Sequence, residues 1–372
     1  MPRRKTADSD YSIAGLETTM DDPSGDFSPE DSPVSVTFQA SDEKNENILR
    51  PQYLEDFQGQ RQLKENLAVF IRAARERGEA LDHTFLIGPP GLGKTTLASI
   101  IANEMHSEMR MTSAPALEKP KDLAGILTNV TENSIFFIDE IHRLRPALEE
   151  MLYIAMEDFE IDWVIGQGPS ARTMRIPLPK FTLIGATTKA GAVSTPLSER
   201  FGITGHLEYY DDEELKSIIL RSAGILKCSI TDEAASLLAH CSRGTPRIAN
   251  RLLKRLRDFA HVMRADGVIG TEVVQFGLDR LGIDQNGLEK QDRAILRTII
   301  DFYQGGPVGA ETLSISVGEA VETLEDFYEP YLIQQGYLMR TPRGRMVTPK
   351  AYELVGAEYK GRADNADQGL LF

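Results

Sequence analysis

The sequence predicts an α/β fold in which helices cover a parallel sheet, followed by an all-helical region and a C-terminal domain of the winged helix type. In the first half, short apolar strands alternate with helical stretches, which is typical of a buried parallel sheet. From Asp211 to Leu281 the pattern is all-helical. The last segment combines three helices with a basic hairpin, the arrangement of a winged helix-turn-helix.

The charge of the chain is unevenly distributed. The net charge of the 372 residues is −15, but ten carboxylates and no Lys or Arg lie between Thr6 and Glu43. This acidic segment leaves about −5 on the rest of the chain, so the overall charge does not exclude binding to nucleic acid. Residues 1–46 are rich in Ser, Asp, Thr and Pro, and are predicted to form an acidic disordered tail.

Two classes of protein are disfavoured by composition. No run approaches the ~18 consecutive apolar residues of a membrane helix, and the N-terminus leads into acidic residues rather than an apolar signal core. Cys228 and Cys241 form no CxxC pair, which argues against a disulfide framework or a zinc site. We therefore expect a cytoplasmic protein with no membrane segment.

The first domain is predicted to span 47–210. A helix at 62–77 precedes the first strand, and a second helix at 96–105 follows the turn after that strand. Each predicted strand is a short apolar run that ends in glycine or acidic residues: His83–Gly88, Ser134–Ile138 and Phe181–Gly185. Alternating residues at 161–165 and 172–176 flank a glycine-containing turn and predict a hairpin inserted in this domain, 161–176.

The second half divides into two further domains. Helical spacing at 212–223, 232–241, 245–265 and 271–280 predicts a small helical domain, 211–282. Helices at 289–303, 314–317 and 321–335, then two short strands around a basic turn, predict the winged-helix domain, 283–358. Residues 359–372 are predicted to form a flexible C-terminus.

A phosphate-binding motif lies between the first strand and its helix. Gly88-Pro-Pro-Gly-Leu-Gly-Lys94-Thr95 matches G-x-x-x-x-G-K-[ST] in the strand–turn–helix context that this motif requires. The glycines allow backbone N–H groups to surround phosphates, Lys94 reaches the β- and γ-phosphates, and the Thr95 hydroxyl binds Mg²⁺. The motif predicts ATP and Mg²⁺ as ligands.

Acidic and polar residues end the next two strands. Asp139 and Glu140 follow the second strand, where carboxylates face the phosphate crevice of a parallel sheet. We assign Asp139 to the metal and Glu140 to activation of water. Thr187, at the end of the third strand, is a candidate contact to the γ-phosphate, although a lone threonine there also fits ordinary turn chemistry. His142 is predicted to be a surface or packing histidine.

Arginines supply the remaining positive charge. Phosphoryl transfer gains ~10³-fold or more in rate from an arginine on the γ-phosphate, and Arg200 and Arg247 are the candidates. In the C-terminal hairpin, Arg340, Arg343 and Arg345 lie on a predicted wing, where they are placed to contact DNA phosphates. Phosphate contacts position a protein without reading sequence, although a basic run is also compatible with a simple solvated face.

Taken in this order, these motifs resemble the AAA+ ATPases and, more narrowly, the RuvB family of bacterial Holliday junction branch-migration motors. The resemblance covers about Ile48 to Gly356 and depends on strings such as Gly-Pro-Pro-Gly-Leu-Gly-Lys-Thr-Thr, Phe-Ile-Asp-Glu-Ile-His-Arg-Leu, Leu-Ile-Gly-Ala-Thr-Thr, Gly-Thr-Pro-Arg-Ile-Ala-Asn-Arg-Leu-Leu and Glu-Pro-Tyr-Leu-Ile-Gln-Gln-Gly. The chain departs from the family at its two ends and at Lys189, where the family has arginine.

The resemblance implies roles for individual residues. It makes Thr187 sensor 1, Arg247 sensor 2 and Arg200 an arginine finger that reaches the ATP of a neighbouring subunit. It also implies nucleotide contacts by further residues, namely Leu49, Arg50, Gly91, Gly93, Lys94, Thr95, Thr96, Glu157, Asp158, Phe159 and Tyr210.

The resemblance further implies an ATP-driven, hexameric ring that moves duplex DNA through four-way junctions in recombination and repair. Its implied partners are the junction-binding protein RuvA, through the hairpin 161–176, and the resolvase RuvC. Two alternatives stay open: a nucleotide-regulated DNA-binding switch and an AAA+ protein remodeller. The basic wing argues against the remodeller. An acidic outer side of helix 321–335 (Glu322, Glu325, Asp326, Glu329) argues against an operator-reading switch.

Overall fold

The computed structural model describes residues 48–165, 172–264 and 266–359. The predicted tail at 1–46, and all but the first residue of the predicted C-terminus at 359–372, lie outside the described residues. No helix of the described part is both long enough and apolar enough to cross a membrane.

A five-stranded parallel sheet forms the centre of the first domain. The strand order is β2–β3–β6–β1–β7, and the strands are β1 (Thr84–Ile87), β2 (Met109–Ser113), β3 (Ile135–Asp139), β6 (Thr182–Thr187) and β7 (Ile203–His206). The three strands predicted from the sequence are the three central ones, β3, β6 and β1. Their carboxyl ends therefore lie side by side at one edge of the sheet.

The two outer strands, β2 and β7, were not predicted from the sequence. β2 has no fully buried residue, and residues alternate between buried and exposed along β7. An outer strand is covered on fewer sides than a central one, so neither sequence shows the continuous apolar run that marks β1 and β3.

The sheet separates two apolar cores. Ile135 and Phe137 of β3 face one core, whereas Phe136 and Ile138 face the other, as expected from the twofold period of a strand. The helices of this domain are α1 (Arg61–Arg77), α2 (Lys94–Met105), α3 (Pro120–Leu127), α4 (Pro146–Glu157) and the single turn α5 (Thr195–Ser198). The predicted hairpin is present as a separate two-stranded sheet of β4 (Glu160–Ile165) and β5 (Arg172–Pro177).

Four helices form the second domain: α6 (Asp212–Leu226), α7 (Asp232–His240), α8 (Pro246–Met263) and α9 (Thr271–Arg280). The N-terminus of α6 is fixed by a capping box, in which the Asp211 carboxylate accepts the Glu214 N–H. Apolar side chains of these helices are continuous with the core on one face of the sheet. This domain, called the lid below, is therefore packed directly against the first.

The third domain, called the head below, has its own core. Its elements are α10 (Lys290–Tyr303), α11 (Ala310–Val317), α12 (Val321–Thr323), α13 (Glu329–Gln334), β8 (Leu338–Thr341), β9 (Gly344–Val347) and α14 (Pro349–Val355). Between α12 and α13, residues Leu324–Tyr328 form a π-helical turn. Pro330 has no N–H to donate to the carbonyl four residues earlier, which favours this irregularity in the predicted single helix 321–335.

Candidate nucleotide site and nucleic-acid interface

A cleft between the first domain and the lid collects most of the predicted site residues. It encloses about 1040 Å³ of empty space, open solvent included. The predicted residues that line it are Leu49, Arg50, Gly91, Gly93, Lys94, Thr95, Thr96, Asp139, Glu140, Tyr210 and Arg247. Residues that are far apart in the sequence therefore meet at the carboxyl ends of the central strands.

The glycine-rich turn before α2 has the backbone conformation of a phosphate cradle. Gly91 and Gly93 lie in the left-handed region, with φ of 80° and 104°, where a side chain is disfavoured. A Cβ on Gly93 would also lie 3.3 Å from the ring of Phe57. Glycine is thus required here by conformation, and the turn opens directly into the N-terminus of α2.

Lys94 is buried at the start of α2. Its ammonium donates to the carbonyls of Gly88 at 2.7 Å and Pro89 at 2.9 Å. Burial lowers the pKa of Lys94 to about 8, although the nearby carboxylates of Glu140 and Asp139 act in the opposite direction. A desolvated lysine that donates to two carbonyls is well prepared to bind an anionic phosphate.

The two carboxylates at the end of β3 have different surroundings. Asp139 lines the cleft together with the Thr95 hydroxyl, and these two oxygen groups are of the kind that Mg²⁺ prefers. Glu140 has a left-handed backbone, with φ of 49°. Its carboxylate accepts the Thr188 hydroxyl at 3.2 Å and lies 3.2 Å from His142 Nδ1. The Glu140 side chain is therefore oriented by neighbours on two sides.

His142 connects Glu140 with Thr187. Its Nδ1 also lies 2.9 Å from the Thr187 hydroxyl, and burial lowers the pKa of the ring, which favours the neutral imidazole. The prediction of a surface or packing histidine did not include these contacts with two predicted site residues. Thr187 is fully buried and contacts His142 rather than lining the cleft. The string Asp-Glu-Ile-His, which places His142 two residues after Glu140, was the feature of the sequence that could have predicted this contact.

The lid side of the cleft contains residues that sequence analysis missed. Arg221 and Asn250 line it beside Arg247, and Arg221 donates to the Leu49 carbonyl at 2.8 Å. The Tyr210 hydroxyl donates to the Leu92 carbonyl at 3.2 Å, so Tyr210 joins the lid to the glycine-rich turn. No local pattern in α6 or α8 distinguishes Arg221 or Asn250 from surface residues.

Arg200 lies outside this cleft. Its guanidinium donates to the Glu157 carboxylate at 2.9 Å and to the Pro196 carbonyl at 2.6 Å, and stacks 4.9 Å above the ring of Tyr153. The Tyr153 hydroxyl is itself bonded to buried Glu149 at 3.0 Å and lies 2.9 Å from the Ser194 hydroxyl. Arg200 is thus fixed by Glu157, Pro196 and Tyr153 on a surface that is separate from the cleft.

The predicted nucleotide contacts Glu157, Asp158 and Phe159 also lie outside the cleft of their own chain. Glu157 and Asp158 are exposed, the former as the partner of Arg200. The Phe159 ring packs against Phe181 with centroids 5.9 Å apart. The Phe159 side chain is partly buried and packs against the core of the first domain, so its contact with nucleotide stays a prediction.

The β4–β5 hairpin packs partly against the core of the first domain. Ile161 is fully buried, and Trp163 packs against the core that contains Phe136 and Ile138. Met174, opposite Trp163 in the ladder, is 47% exposed. The side chains of Val164 and Ile165 and the turn at 166–171 lie outside the described residues. Part of the apolar surface of the hairpin is therefore domain core.

The C-terminal hairpin of β8 and β9 carries the three arginines predicted to contact DNA. Arg343 is exposed at the turn. Arg340 and Arg345 are ion-paired within the head, both with Glu329. Glu329 is fully buried, so its assignment to the exposed side of helix 321–335 was wrong.

Comparison with known proteins gives a consistent match along the chain. Residues 49–207 match the family model described as the Holliday junction DNA helicase RuvB P-loop domain. Residues 210–284 match the RuvB AAA lid domain, and residues 285–356 match the RuvB C-terminal winged helix domain. These three segments together cover most of the sequence.

Similar proteins and structures carry the same description. The Holliday junction branch migration complex subunit RuvB of Treponema denticola is 67% identical over 318 residues, which are 86% of this chain and 92% of that protein. The Borreliella burgdorferi protein of the same name is 59% identical over 343 residues, 91% and 99% of the two chains. The solved Thermotoga maritima RuvB Holliday junction branch migration motor matches with a TM-score of 0.77 at 49% identity, covering 84% of this chain and 99% of that one.

Proposed function

The chain belongs to the RuvB family of AAA+ ATPases, and from this premise we propose that it is an ATP-driven motor for branch migration of Holliday junctions in DNA recombination and repair. The main support for the proposal is that the residues of one chain lie at two separate places. Lys94, Asp139 and Glu140 share a cleft, whereas Arg200 lies outside it on the same molecule.

In the cleft, we assign the first steps to Lys94 and the glycine-rich turn. The Lys94 ammonium exchanges the carbonyls of Gly88 and Pro89 for the β- and γ-phosphates of ATP, while N–H groups of the turn surround them. Thr95 and Asp139 would hold Mg²⁺, which would neutralise charge on the same phosphates. Glu140, oriented by Thr188 and His142, accepts the proton of the attacking water.

Two arginines complete the proposed site from opposite directions. Arg247 approaches from the lid of the same chain. Arg200, together with the nucleotide contacts predicted at Glu157, Asp158 and Phe159, is assigned to the ATP of the next subunit in a ring, which we propose to be a hexamer. A neighbour's γ-phosphate would replace Glu157 as the partner of the Arg200 guanidinium, and this added charge stabilises the transition state.

The ring assignment is tested by mixing two inactive variants. Lys94→Ala and Arg200→Ala should each lose ATP turnover alone and regain part of it together, because a normal arginine then meets a normal cleft. Arg72→Ala, at an exposed position on α1, is the matched control and should remain active. Confirmed co-assembly without recovery of turnover would contradict action across the subunit boundary.

We further propose that the head binds duplex DNA through its wing without reading sequence, and that a RuvA protein docks on the β4–β5 hairpin. Action with a RuvC resolvase, in the cytoplasm, belongs to the same proposal. The test compares ATPase activity with a four-way junction, with linear duplex and without DNA, in the presence and absence of RuvA. Binding confined to one duplex sequence would instead favour the nucleotide-regulated switch.

A further inference from the structure

We propose that Glu329, a buried carboxylate at the start of α13, positions the wing arginines Arg340 and Arg345 for contact with DNA phosphates. This inference rests on the proposed DNA contact of the wing and adds a residue to it. Glu329 itself has no access to DNA, because it is fully buried. Its effect on binding would therefore act entirely through the two arginines.

The wing brings two like charges together. Arg340 of β8 lies directly opposite Arg345 of β9 in the antiparallel ladder, and like charges at such positions destabilise a hairpin. The backbone cannot easily move to separate the two charges, because Arg345 exchanges hydrogen bonds with Val308 at 2.8 and 3.0 Å. A Cβ on Gly344 would come 2.4 Å from the Val308 carbonyl oxygen, so this close approach requires glycine in the turn.

Glu329 lies beneath this pair and binds both members. One carboxylate oxygen accepts Arg340 Nε at 2.5 Å, and the other accepts Arg345 Nε at 2.8 Å. Glu325 adds an ion pair to Arg345 and a carbonyl contact to Arg340 at 3.4 Å. Each guanidinium carries five N–H donors in a rigid fork. Contacts through Nε and Nη2 orient each fork. The Arg340 side chain stays 47% exposed and that of Arg345 12% exposed, and the Nη1 side of each is the part proposed to meet a phosphate.

Stability alone gives little reason for this arrangement. A buried ion pair is often no more stabilising than apolar residues of the same volume. The hairpin could therefore pack on α13 without any charge. A buried carboxylate that fixes two phosphate-binding side chains instead saves the rotamer freedom they would otherwise lose on binding.

Simple electrostatics and positioning predict opposite effects of removing the charge. Glu329→Gln makes the head more positive, so charge alone would tighten DNA binding, but only by about twofold, because ions screen charges about 10 Å apart at 0.1 M salt. Loss of positioning for two arginines should weaken binding by about tenfold, equivalent to ~1.4 kcal/mol. The sign of the change therefore separates the two effects.

The experiment measures binding of the full chain to a linear duplex by fluorescence anisotropy at several salt concentrations. Glu329→Gln should weaken binding about tenfold and lower the log–log salt slope by about one to two units, since each phosphate contact contributes ~0.9. Glu322→Gln, at an exposed position of α12, removes the same charge without touching the wing. That control should keep the wild-type slope. Equal or tighter binding by Glu329→Gln, with an unchanged slope, overturns the proposal.

A second variant covers the case in which Glu329→Gln does not fold. Glu325, whose side chain is 38% exposed, can lose its charge in Glu325→Gln at lower cost, and we expect about threefold weaker binding. Tighter binding overturns the proposal here too. Arg340→Ala and Arg343→Ala, measured alongside, test the wing contact itself. If they weaken binding while both glutamate variants do not, only the positioning role fails; if they have no effect, the proposed wing contact fails.

Discussion

At the scale of single residues, Lys94 makes ATP binding depend on pH. Burial lowers its pKa to about 8 in the protein without nucleotide, and phosphates bound beside it raise the pKa again. Between about pH 8 and 10, ATP binding should therefore take up a proton. Affinity should fall as pH rises through this window, by about tenfold per pH unit at most. Titration calorimetry in buffers of different ionisation enthalpy measures the uptake.

Lys94→Arg provides the matched control for this proton. An arginine keeps its charge at every pH in the window. Binding of ATP to the variant should therefore occur without uptake of a proton. Proton uptake of the same size in Lys94→Arg would assign the effect to another group. Constant affinity of the wild-type protein from pH 7 to 10 would contradict the assignment as well.

Tyr153 is the second residue with a specific expected effect, because its ring supports the Arg200 guanidinium at 4.9 Å. Tyr153→Leu removes the aromatic face and should lower kcat for ATP about tenfold, a fraction of the ~10³ that an arginine finger provides. The KM for ATP should hardly change, because the cleft of the same chain is intact. Steady-state ATPase assays measure both constants.

Tyr153→Phe keeps the ring and loses only the hydroxyl bonded to Glu149, so its kcat should lie between those of wild type and Tyr153→Leu. When Tyr153→Leu is mixed with Lys94→Ala, activity should recover only partly. The intact Arg200 site of the Lys94→Ala subunits then serves the clefts of the Tyr153→Leu subunits. A raised KM with normal kcat would show that Tyr153 acts elsewhere.

At the scale of elements, the β4–β5 hairpin has a core side and an exposed side. Met174→Asp changes an exposed side chain and should reduce stimulation by RuvA while sparing basal ATPase. Ile161→Ala empties a fully buried position and should lower the free energy of unfolding by about 2–5 kcal/mol. Assays with and without RuvA, together with denaturant unfolding, measure these effects. Normal RuvA stimulation of Met174→Asp would remove this side of the hairpin from the proposed interface.

At the scale of the whole molecule, a buried ion pair joins the lid to the head. Arg243 donates to Asp292 at 2.5 Å, and both side chains are almost inaccessible; the guanidinium also lies 4.7 Å from the ring centroid of Tyr331. Arg243→Met should destabilise the protein by about 3–5 kcal/mol, because the Asp292 carboxylate stays buried without its partner. Denaturant unfolding measures the loss.

The double variant Arg243→Met/Asp292→Leu completes this test. With both charges removed, much of the lost stability should return, since apolar residues of similar volume often replace a buried pair without loss. A double variant that is less stable than Arg243→Met would mean that the pair is not the source of the effect. Equal stability of Arg243→Met and wild type would contradict a structural role for this joint.

Features that depend on contiguous residues were predictable from the sequence. The three central strands are continuous apolar runs because both faces of the sheet are covered, and the glycine-rich turn before Lys94 is recognisable because phosphate binding fixes the spacing of its glycines. The outer strands β2 and β7 did not show this signal, because strands at the sheet edge are only partly buried. The apolar residues of β4 were visible, but not which of them face the core.

Contacts between side chains that are distant in the chain could not be predicted in this way, because they depend on how the chain folds. The local residue patterns left Arg200 and Arg247 as equal candidates for the γ-phosphate, and only the family resemblance gave them different roles. In the structure one lies on an outer surface above Tyr153 and the other lines the cleft. Glu329 was predicted from the sequence to be a surface carboxylate. In the structure the wing covers it, and it forms ion pairs with both Arg340 and Arg345. The physical reason is that hydrogen bonds and ion pairs depend on distances of about 3 Å. Between residues distant in the chain, those distances are fixed by packing.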